Sequence, residues 1–189
     1  MEIFEYVSVL TSIILGLGIT HLLKGLAGLI QHPGREEIYG THLAWVAYML
    51  FTTVLWWWWQ FGLETRPSWT LGIYLFVSGF ALVFYLLCAL LFPADMEDFE
   101  GYHDYFMSRK SWFLGLLAFA YVLDLLDTLL KGWDRFQSLG IGYPLQAGVI
   151  MALCFIGART SSRRYHAVLV MVVLASQAYQ AIAYLWTVA

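Results

Sequence analysis

Charge is what this sequence lacks. Only 12% of its 189 residues are Asp, Glu, Lys or Arg, and ten basic against thirteen acidic residues leave a net charge of −3. No basic cluster could track phosphates, which argues against nucleic acid as a partner. Cysteine is scarce too: Cys88 and Cys154 stand singly inside hydrophobic runs, a pattern of packing and not of a disulfide framework or metal knuckle. A signal peptide is also missing from the reading. "MEIFEYVSVL" carries acids where such a peptide has bases, and its apolar run is too long for an h-region, so it is kept as a membrane span.

What is present is apolar. Hydrophobic residues make up 61% of the chain and the mean hydropathy is +0.70, whereas a soluble domain is about half apolar and about a quarter charged. A soluble fold of this size could not hide that surface, so the chain must be solvated by lipid. The expected fold is an all-α polytopic bundle of six transmembrane helices forming one domain. The spans are about 7–30, 42–62, 69–92, 112–131, 141–158 and 166–187, each near the roughly 20 residues that a bilayer needs. "QHPGREE", "ETRPS", "FPADMED", "KGWDRFQ" and "ARTSSRR" separate them. Loop 93–111 is acidic, with Phe99, Tyr102 and Phe106 at helical spacing, and predicts a short amphipathic helix on the membrane interface. Its Glu100 and His103 make a single E-x-x-H pair, where a di-iron bundle needs two.

Basic residues orient the bundle. Lys24, Arg35, Arg109, Lys110, Arg159, Arg163 and Arg164 fall on one side, and Arg66, Lys131 and Arg135 on the other. The positive-inside bias predicts both termini outside the cytoplasm. "LWWWWQ" then closes span two on the outer face, with Trp69 and Trp133 on that face as well. The indoles read as an interfacial belt, with a cation–π cage or a quinone or pigment shelf as the alternative.

Span one carries Ser8, Ser12, Gly16, Thr20 and Lys24 at a spacing of four, with His21 and several glycines nearby. Such a stripe of small and polar groups predicts a central helix touching several neighbours. At about 1.5 Å per residue from each span's midpoint, Asp124 falls ~5 Å and Asp127 ~9 Å outward. Gln180, Gln146, Ser78 and Ser12 lie at similar depths, Gln177 near the midplane, and His21 and Lys24 in the inner half.

A carboxylate at that depth costs a few kcal/mol unless it is paired, hydrated or protonated. Asp127 has Lys131 four residues on, the favoured order for a helical ion pair. Asp124 has no local cation. It is either a protonated donor to Gln177 or Gln180, or the site of a transported cation or proton. The expected pathway is Asp124 and Asp127 with Gln180, Gln177, Gln146 and Ser12, continued inward by Thr20, His21 and Lys24. All five histidines face the predicted cytoplasmic half, without the paired in-membrane positions of a haem protein, so no cofactor is expected.

"GLGITH" has no preceding strand and lacks a third glycine, so it is not a dinucleotide fingerprint. "LLKG" at Leu22–Gly25 recurs at Leu129–Gly132, as two inverted halves of a transporter would require. "FEYVSVLTSIILGLGITHLLKGLAGLI" and "FMSRKSWFLGLL" resemble uncharacterised small multi-pass bacterial inner-membrane proteins. The resemblance implies a bacterial inner-membrane location and no activity. The functional expectation is a homo-oligomeric cation or proton channel or transporter. Its alternative is a non-catalytic membrane subunit packed against partner proteins, pigment, quinone or haem. No nucleophile, metal set or phosphate cradle points to an enzyme.

Overall fold

Six long helices run up and down beside one another in the computed structural model, which describes residues 3–64, 66 and 68–187, with side-chain surroundings through residue 183. They are α1 (Ile3–Gln31), α2 (Gly40–Trp59), α3 (Leu71–Ala89), α4 (Tyr102–Lys131), α6 (Gly142–Arg159) and α7 (Arg163–Thr187). A short helix, α5 (Trp133–Ser138), follows α4, and a 3-10 turn over Gln60–Leu63 follows α2. No strand occurs among the described residues. Four helices, α1, α3, α4 and α7, are long and apolar enough to cross a membrane. The termini Met1 and Ala189, on which the orientation expectation turns, lie outside the described residues, as do Thr65 and Pro67 of the second turn.

Alternation gives the bundle two ends. His21, His42, His103 and His166 gather at one, through bonds to Phe92, Leu91, Arg163 and Thr160 respectively. Asp127, Lys131 and Gln60 meet at the other. Aromatic pairs fill the core between, among them Trp45 with Phe113 and Trp56 with Phe80, at centroid distances of 5.1 and 4.9 Å. Outward faces carry Leu17, Leu82, Phe119 and Met171, exposed as lipid-facing side chains are.

Span one is not central. α1 packs on α3 and to a lesser degree on α2. Only 17% of its most apolar stretch is buried, against 50% for α3. The cause is geometric. Val7, Thr11, Leu15, Gly18 and Leu22 hold one face at steps of four and three, and these are the buried residues. A strict spacing of four drifts by about 40° per step. Ser8 and Ser12 therefore begin beside the contact, and Thr20 and Lys24 end exposed. The hydroxyls do not bridge helices either: Thr11 donates to Val7 O at 3.0 Å and Ser12 to Val9 O at 2.8 Å, both within α1.

The expected interfacial helix is the start of α4, which runs unbroken for 30 residues from Tyr102. "SRKS" at 108–111 ends an apolar run but contains no helix breaker. The break falls instead at Gly101, whose φ of +151° suits glycine, and where a Cβ would sit 3.0 Å from Glu37. At the other end Gly132, φ +135°, turns the chain from α4 into α5, a helix inside the stretch expected to be a turn. The "LLKG" echo does not extend to packing. α1 lies chiefly on α3, whereas α4 lies chiefly on α6 and not on α7. Lys24 is exposed, while the side chain of Lys131 is buried.

Candidate functional site

The Gly132 turn opens a cavity of about 410 Å³ at the Lys131 end, bounded by α4, α5, α6, α7 and Trp59 of α2. Asp124, Asp127, Thr128 and Lys131 line it from α4, Arg135 and Ser138 from α5, Tyr143 and Gln146 from α6, and Tyr179 and Gln180 from α7. Four of the residues singled out by membrane depth (Asp124, Asp127, Gln146 and Gln180) thus meet around one space.

Asp127 is 1% exposed. Its Oδ2 forms an ion pair with Lys131, one helical turn on, and accepts from Gln60 Nε2 at 3.4 Å. Its Oδ1 and the Gln60 Oε1 are buried with no hydrogen-bond partner. Breaking a buried pair strands a charge, so the local lysine makes this acid tolerable.

Asp124 is held differently. Tyr143 O–H donates to Asp124 Oδ2 at 2.6 Å and lies 3.2 Å from the Asp124 carbonyl. Thr128 Oγ1 lies 2.8 Å from the same phenol and so donates to it, making a chain Thr128–Tyr143–Asp124. Among the described residues no cation lies within ion-pair distance of Asp124.

Asp124 also borders a second, far smaller space of about 30 Å³ in the bundle core, with Tyr48, Thr52, Trp56, Tyr121 and Gln177. Trp56 Nε1 and Gln177 Nε2 are buried there without partners. A volume of that order suits one water, which would satisfy such donors. Trp59 and Asp124 border both spaces. Among the described residues Asp124 is the only carboxylate that does.

No family model, curated protein or solved structure matches this chain.

The rest of the expected pathway is elsewhere. Ser12, Thr20, His21 and Lys24 belong to α1 and border neither space. His21 Nε2 instead bonds Phe92 O at 2.9 Å, and His42 Nε2 bonds Leu91 O at 2.5 Å. Tyr105 O–H donates to Leu90 O at 2.9 Å. Three consecutive carbonyls beyond α3 are thereby capped by side chains from α1, α2 and α4, which removes the cost of leaving them bare. Carbonyls only accept, so Nε2 carries the hydrogen in both imidazoles. Among the described residues no three His, Cys, Asp or Glu side chains form a metal-ligating group.

The tryptophan run divides. Trp56 is buried against Phe80 and Phe84 and Trp59 turns to the cavity, while Trp57 and Trp58 are 44% and 54% exposed. Steps of about 100° put residues three apart on neighbouring faces, so one run supplies both core and surface. Sequence reasoning missed Tyr143 and Gln60. Both lie at span ends, where tyrosine and glutamine read as interface residues; their signal is that they fall on the same side of the midplane as the two acids.

Proposed function

We propose that the chain is a six-span membrane protein that moves protons or small cations, with Asp124 as the group that takes them up. The observation that carries this is the position of Asp124. It stands at the floor of the larger cavity and at the edge of the water-sized one, with a neutral phenol as its partner. Intramembrane acids of this kind mark ion and proton paths. Asp127, already neutralised by Lys131, holds the fold of the site.

In this reading α2 and α6, 20 and 18 residues long, cross the membrane beside the four more apolar helices. Their polar content is turned inward: Thr52, Thr53 and His42 of α2 are buried, and Gln146 of α6 bonds Ser176 of α7. Seven of the ten basic residues sit at the histidine end, which supports reading that end as cytoplasmic and the large cavity as facing the outer side of a bacterial inner membrane. Association of several copies in the bilayer would complete a path that one short chain leaves closed at the core.

Flux in proteoliposomes tests the proposal. Wild-type protein should pass protons or monovalent cations, and Asp124→Asn, which keeps size and hydrogen bonding, should abolish passage or shift its pH midpoint. An Asp124→Asn protein that conducts as wild type would sink it.

A further inference from the structure

The large cavity is far roomier than a bare ion requires. Its volume of about 410 Å³ is in the range of small-molecule sites. A metal cation would need several oxygens converging at about 2.0–2.6 Å, and no such group of side chains occurs among the described residues. The walls are mixed instead. Trp59, Tyr143 and Tyr179 supply aromatic rings, and Leu139 and Ala183 supply apolar surface. Asp124 and Asp127 supply carboxylates, and Lys131 and Arg135 supply cations further along α4 and on α5.

Two observations point to a donor-bearing, positively charged ligand. Asp124 offers a carboxylate whose side-chain partner is a phenol, not a cation. Independently, Asp127 is 1% exposed and lines the same cavity, yet its Oδ1 has no partner, and neither has the adjoining Gln60 Oε1. Lys131 is already engaged by the other oxygen of Asp127. What is wanting is a positive charge at Asp124 and a hydrogen-bond donor at Asp127 Oδ1, beside aromatic faces that favour cations.

We propose that this cavity binds a small amphipathic organic ammonium compound, its charged head at Asp124 and its apolar body against Trp59 and Tyr179. The inference deepens the transport reading by naming a substrate class for the same site, and it rests on that reading only for the movement that follows binding. Along α4, Asp124 and Lys131 are seven residues apart, about 10 Å. A body of roughly one aromatic ring with a short alkyl arm spans that depth.

Calorimetric titration of the purified protein in lipid discs tests the idea without any flux. The probes are phenethylammonium, its neutral counterpart 2-phenylethanol, and 3-phenylpropionate. The ammonium should bind saturably, at least about tenfold more tightly than the alcohol, and the carboxylate should not bind. Asp124→Asn should erase the preference for the ammonium. Gly142 also lines the cavity, and a Cβ there meets nothing within 4 Å. Gly142→Trp should therefore block all probes while the protein still melts cooperatively. Equal binding of ammonium and alcohol, retention of the preference in Asp124→Asn, or no saturable binding would each overturn the proposal. Binding without proton or cation flux would uphold it and count against the transport reading alone.

Discussion

Tyr143, the second residue of α6, donates its phenolic hydrogen to Asp124, two turns before the end of α4, across 2.6 Å, and receives one from Thr128 a turn further on. One hydroxyl thus ties the wall of the cavity to its floor. Tyr143→Phe keeps the ring and removes both bonds. Stability in mild detergent should fall by about 1.5–3 kcal/mol, the usual worth of a hydrogen bond to a charged group. Flux should fall with it. A Tyr143→Phe protein that melts with wild type would show that the bond contributes nothing to folding.

Asp127 and Lys131 should behave as a unit. Lys131→Met alone leaves a buried carboxylate beside an amide and should cost about 3–5 kcal/mol. Adding Asp127→Asn should restore most of that loss, because no charge is then stranded. Thermal unfolding of the two single variants and the double variant measures the coupling, and simple additivity would contradict the pairing.

Glycines of α1 should separate by sign. A Cβ on Gly25 would lie 2.3 Å from the ring of Phe92, which is 4% exposed, so Gly25→Ala should destabilise by about 1–3 kcal/mol through overpacking. At Gly16 nothing lies within 4 Å of such a Cβ, and alanine there should stabilise by about 0.5–1 kcal/mol through lower chain entropy. Equal effects at both sites would mean that α1 does not press on Phe92.

Cysteine accessibility checks the two ends. Ser138 and Arg159 are at opposite ends of the bundle, and the native Cys88 and Cys154 are buried and free. A membrane-impermeant maleimide added outside spheroplasts should label Ser138→Cys, and Arg159→Cys only after lysis. The reverse pattern would invert the proposed orientation.

Depth was legible in the sequence, and direction was not. Helical rise is constant, so counting from span midpoints brings Asp124, Asp127, Gln146 and Gln180 to one level, and they line one cavity. The same count put Ser12 at that level too, but the face a residue takes depends on which neighbours its helix meets. α1 meets α3, so Ser12, Thr20, His21 and Lys24 stay away from the cavity. The start of α4 was hidden for a related reason. A hydropathy boundary marks where lipid ends, and a helix with no breaker passes through it.

The carbonyls of Leu90, Leu91 and Phe92 have one more consequence, which concerns the order of events during synthesis. Their partners His21 and His42 are made before them, and Tyr105 after them. A nascent chain that has emerged only through Phe92 can close two of the three caps at once. The third stays open until the ribosome has delivered the first turn of α4. Folding of the first three helices is thus completed by the arrival of the fourth, and a chain halted between Phe92 and Tyr105 would present a bare Leu90 carbonyl at the membrane surface.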